Sequence, residues 1–208
     1  DDTLLRAKSD VLGQRLGWQP TLGWFAHQYD HAALVQHRAL LGATSGVRAG
    51  RLWLSSGGRE HDLGAVIDMP LTVAGTATYN VENLAGAALV AARLGVPPVI
   101  IAQVFAAFGR DLADNAGRLM RFDIGGVKII VDYAHNPDCY RALVAFIDRW
   151  PVAGRKILMV GCPGRSSRQA VRDIAALVAG HFDRFISRDS RELVGYTEGE
   201  LPALVRDE

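Results

Sequence analysis

At 208 residues, 49% of them hydrophobic, and with a formal net charge of +1, the chain has enough apolar side chain for a sizeable core. Its charge is too evenly balanced for a nucleic-acid surface, and no apolar run approaches the ~20 residues of a membrane helix. The opening DDTLLRAKSD has neither a basic leader nor an apolar signal core, so a soluble cytoplasmic protein is expected, with no nucleic acid or membrane among its partners.

In chain order, Thr21 to Ala26, Gly46 to Leu54 and Arg59 to Ile67 alternate or run apolar and predict strands, with SSGGRE as a hairpin turn between the last two. From Tyr79 the period changes. YNVENLAGAALVAARLG sets small and apolar residues at helical spacing with Gly95 as its stop, and Pro98 to Phe108 predicts a second helix with its proline in the first turn. GRDLADNAGR crowds Gly, Asp and Asn without periodicity, which predicts a linker and divides the chain into domains 1–115 and 116–208.

Beyond the linker the pattern is α/β. Buried strand Lys128 to Val131 leads to helix Asp138 to Arg149, strand Lys156 to Val160 to helix Arg168 to Ala179, and strand Arg184 to Ile186 toward a helix at TEGE, where Thr197 and Glu200 have capping-box spacing. Such alternation predicts right-handed crossovers and a mainly parallel, Rossmann-like sheet, whose ligands lie beyond the carboxyl ends of its strands. Three polar clusters fall there: Asp132 with His135, then GCPGRSSR, then SRDSRE. An acid ending a buried strand is the strongest of these signals, because charged groups are seldom buried without a partner. Upstream, Asn80 and Asn83 stand three apart on one helix face, so their amides either cap and solvate the helix or offer donor and acceptor to a ligand.

Negative evidence narrows the chemistry. No Gly-Lys pair exists for a P-loop and no Gly-x-Gly-x-x-Gly follows a strand, which disfavours a self-contained ATPase or dehydrogenase. Cys139 and Cys162 have no metal-ligand spacing, so no metal site is expected; reduced thiols fit better, with Cys162 a small buried residue. The basic side is nearly all arginine, whose fork suits carboxylate or phosphate.

The order YNVENLAGAALVAARLGV, GRLMRF, GGVKIIVDYAHNP and a Gly-rich loop after the next strand resembles the second half of a Mur-type amide ligase, with the details of FDIGGVKIIVDYAHNPD and FDRFISRDSRELVGYTEGELPAL most similar to cyanophycin synthetases. The resemblance implies that residues 1–115 are the rear of a central ATP-binding domain and 116–208 a C-terminal domain that stops short. DD at the start resembles the end of a family turn, which implies a P-loop, magnesium-binding acids and activating lysine before residue 1. It implies an ATP- and Mg2+-dependent ligase that activates a carboxylate as an acyl phosphate for an amino-acid amine, acting on a small-molecule or peptide substrate and compatible with a homo-oligomer. By the same resemblance Asn80 and Asn83 contact adenine, Arg118 reaches across a domain cleft to the phosphates, Asp132 binds the ribose, and His135 faces the phosphates or a second magnesium. Arg165, Arg168 and Arg191 are the acceptor-binding candidates. The chain departs from the family in PGRSSR, which lacks the usual Gly-Asp-Arg acid, and in VGY at Val194 to Tyr196, where cyanophycin synthetases tend to carry Arg-Gly-Arg. These departures keep a second reading in play, a non-catalytic nucleotide-binding or regulatory module on the ligase fold.

Overall fold

The computed structural model describes residues 23–208 except Pro151 and Pro163. Thr21 and Leu22, at the start of the first predicted strand, and the Asp1–Asp2 pair lie outside the described residues. The chain forms two compact units, one running to Gly75 and resuming over Asn80–Phe108, the other made of Thr76–Tyr79 and Gly109–Glu208.

The first unit holds a four-stranded sheet in the order β1 (Gly23–Gln28), β2 (Ala43–Arg48), β3 (Arg51–Ser56), β4 (Arg59–Ala65). β1 and β2 run parallel. Parallel neighbours need a crossover, supplied by helix α1 (Ala32–Ala39), whose N-cap His31 accepts the Ala33 amide through its ring nitrogen. β2 to β4 form an antiparallel meander. Gly46 to Leu54 is therefore two strands rather than the single one expected, split by a turn in which Ala49 and Gly50 both take positive φ, 49° and 72°. The SSGGRE turn falls where predicted. Leu52 and Leu54 of β3 face a core shared with helices α2 (Thr78–Arg93) and α3 (Pro98–Phe105), to which Leu84, Ala88, Ile101 and Phe105 contribute. Fully buried apolar side chains of this kind contribute roughly 1.5–3 kcal/mol each. Gly95, at φ 85°, follows α2 as its stop.

After Gly109 the first element of the second unit is Leu112–Asn115, a short 3-10 turn closed by a capping box between Asp111 and Asp114 within the expected linker. An antiparallel hairpin follows, β5 (Met120–Ile124) and β6 (Val127–Val131), turning on Gly125 and Gly126. Then come α4 (Pro137–Arg149), β7 (Ile157–Gly161), α5 (Arg168–Val178), β8 (Arg184–Arg188) and α6 (Glu200–Arg206). The expected parallel pairing joins β7 to β8, from Ile157↔Arg184 to Gly161↔Arg188. β6 pairs antiparallel with β5, a strand not anticipated. Nor is β6 the buried strand expected, since Val127, Ile129 and Val131 are all exposed.

Alternation explains the exposure. Val160 sinks into a core with Tyr140, Val144, Val171, Ile174, Val178 and Leu201 from the helices, while Ile157, Met159 and Ile186 on the opposite face stay open. The last helix also starts later than its capping-box spacing suggests. Gly199, at φ 81°, is the N-cap, and the Glu200 carboxylate accepts from the Thr197 amide and hydroxyl at 3.0 and 3.2 Å.

Candidate active site

The two asparagines of α2 occupy unlike environments. Asn80 is buried, donates through Nδ2 to the Leu71 carbonyl at 2.9 Å and accepts through Oδ1 from Asn83 Nδ2 at 3.2 Å. Asn83 itself faces solvent. A helix position that sequence reads as a cap is thus a buried bridge, and only the outer amide is free to meet a ligand.

In the second unit, Asp132 leaves the end of β6 and its Oδ2 accepts the Leu119 amide at 2.9 Å. Leu119 is a non-glycine residue at φ 46°, so the carboxylate holds a strained backbone position next to Arg118. The exposed Arg118 guanidinium lies 5.2 Å from the centre of the Tyr133 ring. On the other side of that residue, His135 Nδ1 meets the Tyr133 carbonyl at 3.1 Å. A carbonyl only accepts, so in this contact Nδ1 is the donor and Nε2 is the nitrogen left for other partners. Asn136 caps α4 by accepting the Cys139 amide. Arg118, Asp132 and His135 are thereby gathered around the end of one strand.

Sequence reasoning missed Tyr79 in this neighbourhood. Its hydroxyl is buried without a hydrogen-bond partner among the described residues. Burial first, then the negative charge of Asp132 and Cys139, pushes its phenol well above the usual range, against the pull of Arg118.

β7 and β8 are parallel and in register to their last residues, so the loops after them leave from one edge. There two of the three predicted arginines are already engaged. Arg165 pairs with Glu192 at 3.3 Å, both side chains about three-quarters exposed. Arg168 binds Glu200 through Nε at 3.0 Å and Nη2 at 2.5 Å, donates to the Gly195 carbonyl at 3.2 Å, and lies 4.9 Å from the Tyr196 ring centre. The Tyr196 hydroxyl donates back to the Ser166 carbonyl at 2.5 Å. Arg191 is exposed. Cys162 is buried as expected, and burial pushes its thiol up, away from thiolate chemistry.

The loop after β8 also holds a group that spacing did not reveal. Asp189 Oδ2 accepts the Gly199 amide at 2.7 Å, whereas its Oδ1 is buried with no partner among the described residues. A buried carboxylate oxygen without a donor costs free energy unless something supplies one. Among the described residues no three His, Cys, Asp or Glu side chains gather into a metal site, so no magnesium cage is assigned to these residues. No described helix is long and apolar enough to cross a membrane.

Residues 117–200, most of the second unit, match the Mur ligase glutamate ligase domain. The chain is homologous to the Mur ligases and cyanophycin synthetases. It is 28% identical over 184 residues to the cyanophycin synthetase of Trichormus variabilis, covering 88% of this chain and 20% of that protein. It is 29% identical over 189 residues to the UDP-N-acetylmuramoyl-L-alanyl-D-glutamate–2,6-diaminopimelate ligase of Corynebacterium efficiens, covering 88% of this chain and 34% of that one. A crystal structure of folylpolyglutamate synthase from Thermotoga maritima aligns over 76% of this chain and 34% of its own length, with a TM-score of 0.48 and 22% identity. The chain spans about a fifth of the length of the cyanophycin synthetase from Trichormus variabilis. The mixed α/β unit with its parallel pair β7–β8 is in keeping with the domain match.

Proposed function

We propose that this chain is part of an ATP-dependent ligase that forms an amide bond between a carboxylate and an amino-acid amine, with residues 1–115 the rear of its ATP-binding domain and 116–208 its C-terminal domain. The observation that carries the reading is the edge where β7 and β8 end together, bearing arginines and a buried carboxylate oxygen that lacks a donor among the described residues. An amino-acid acceptor is a zwitterion, and this edge offers both complements: Asp189 Oδ1 for the ammonium, Arg165 and Arg191 for the carboxylate.

In the reaction a carboxylate oxygen attacks the γ-phosphorus of ATP and ADP departs, giving an acyl phosphate. The acceptor nitrogen, having lost a proton, then attacks the acyl carbon, and the C–O bond to phosphate breaks. Because charge spreads over the transferred phosphoryl oxygens, positioned cations supply the main stabilisation. Mg2+ supplies part of that charge when bound. Of this chain's residues, Arg118 is assigned to the phosphates, Asp132 to the ribose hydroxyls, His135 to the phosphate end, and Asn83, with Asn80 bonded behind it, to the adenine.

Calorimetry on the full-length protein tests the reading. Asn83→Ala and Asp132→Asn should each weaken ATP about tenfold, the equivalent of one good hydrogen bond. The asparagine at 132 still accepts the Leu119 amide, which separates ligand loss from fold loss. ATP affinity unchanged in both variants would refute it. A second reading, a nucleotide-binding module without catalysis, is favoured by the pairing of Arg165 and Arg168 with acids of the chain itself. ATP binding without phosphate release across a screen of amino acids would select it.

A further inference from the structure

We infer that Asn80 is a positioning residue rather than a base contact: through a relay that starts at the Leu71 carbonyl, it fixes which way the Asn83 amide points and so sets selection for a 6-amino over a 6-oxo purine. The inference rests on the proposed role of Asn83 at adenine and says how that role gains its specificity.

An amide side chain is nearly symmetric in shape and opposite in chemistry at its two ends, so a free one reads a donor or an acceptor equally well. The relay removes that freedom in two steps. Leu71 belongs to the 3-10 turn Pro70–Thr72, which is held by the buried Thr72 hydroxyl against the Val66 and Met69 carbonyls, at 2.7 and 2.8 Å, and by the Gly75 amide donating to that hydroxyl at 3.0 Å. The Leu71 carbonyl is therefore a fixed acceptor. It obliges Asn80 to present Nδ2, at 2.9 Å, because the reversed amide would set oxygen against oxygen inside the core. Asn80 Oδ1 is then the end turned to Asn83, and the same exclusion obliges Asn83 to present Nδ2, at 3.2 Å.

What remains on the solvent side of Asn83 is the acceptor Oδ1 with one spare Nδ2 hydrogen. That arrangement matches the edge of adenine, where an amino donor adjoins a ring-nitrogen acceptor. It places oxygen against the carbonyl of a 6-oxo purine. Asn80, only 5% exposed, is spent on the relay and has no amide end left to offer.

Titrating the full-length protein with ATP and ITP tests this. The parent should prefer ATP by about tenfold, one net hydrogen bond with its mismatch removed. Asn80→Ser, too short to bridge Leu71 and Asn83, should lower that ratio to about one while weakening ATP itself only a few-fold. A purely structural Asn80 predicts otherwise: both nucleotides weaken alike in Asn80→Ser and the ratio holds, which overturns the relay and leaves adenine contact by Asn83 standing. An Asn83→Ala variant that binds ATP like the parent would remove the underlying reading and the relay with it. Should Asn80→Ser fail to fold, NMR of the parent decides. The Asn83 side-chain amide should have the order of rigid backbone (order parameter about 0.85), and an order parameter below about 0.6 would overturn the inference.

Discussion

Gly164 is the position where one methyl group should do most damage to the second unit. It is buried in the loop after β7, and a Cβ built there lies 1.6 Å from the Glu192 carbonyl oxygen, 2.7 Å from its carbon and 3.1 Å from Leu193 Cα. Every one of these neighbours is backbone, so no side chain can swing aside. Bringing the closest pair to ordinary contact demands that the two loops part by ~1.5–2 Å. That movement also breaks the bond from the Val194 amide to the Gly164 carbonyl, now 2.9 Å. Overpacking costs roughly 1–3 kcal/mol and the lost hydrogen bond about 1 more, so Gly164→Ala should destabilise the unit by ~2–4 kcal/mol. For a domain of roughly 100 residues that is a fall in melting temperature on the order of 10–20 °C.

Calorimetric melting and urea unfolding of Gly164→Ala beside Gly154→Ala measure the effect. Gly154 is the control because a Cβ there meets nothing within 4 Å. The control should stay within about 0.5 kcal/mol of the parent. If the two variants behaved alike, the close approach of the two loops would be wrong, and with it the geometry assigned to the acceptor edge.

Two titrations follow from the polar contacts. Burial, then the hydrogen bond to Glu60, pushes the Tyr29 phenol from 10.0 up to about 12, so its contribution to stability is complete below pH 10 and is lost as the pH climbs toward 12. Absorbance at 295 nm should show a late-ionising component near pH 12 that Tyr29→Phe removes; a Tyr29→Phe curve identical to the parent's would contradict the buried phenol. The Glu200 carboxyl is held below the usual range, first by the Thr197 amide and then by Arg168, so its contribution is full above the unfolded carboxylate range and fades as pH falls through the depressed folded value. Glu200→Gln should therefore melt below the parent at neutral pH and converge on it in acid, and a constant gap across that range would sink the assignment.

Much of the fold is written in local chemistry. The SSGGRE hairpin, the stop at Gly95 and the βα alternation after the linker are each set by residues within a few positions of one another, where propensity and patterning act. What escaped reading depends on partners far along the chain. Helix α1 has one buried residue, Leu34, and a weak apolar stripe, so little periodicity marks it. The turn at Ala49 and Gly50 is hidden because alanine seldom takes positive φ, and the flanking valine and leucines read straight through it. β6 looks buried by composition, yet only the helix-covered face of a strand is buried, and which strands neighbour it is a long-range fact. The site divides in the same way: Asp132 announces itself as an acid ending an apolar run, whereas the environment of Asp189, with Oδ2 on the Gly199 amide ten residues on and Oδ1 buried without a partner among the described residues, is set by how the loop folds.

The engaged arginines decide how an acceptor would be held. Exposed ion pairs contribute about 0–1 kcal/mol, so the Arg165–Glu192 pair, open to solvent on both sides, yields readily to an incoming carboxylate. Arg168 is different in kind. Its guanidinium satisfies the Glu200 carboxylate and the Gly195 carbonyl together and lies near the Tyr196 ring, and that tyrosine ties back to Ser166. Diverting it to a ligand would release the start of α6 from the β7 loop and leave Glu200 short of a partner. Arg168 is thus part of the frame, and within the proposed ligase the carboxylate of an acceptor falls to Arg165 and Arg191. Since Glu192 competes for Arg165, the strength of acceptor binding then rests on whether an ammonium satisfies Asp189 at the same moment, which favours a free amino acid or an N-terminal residue over a plain carboxylate.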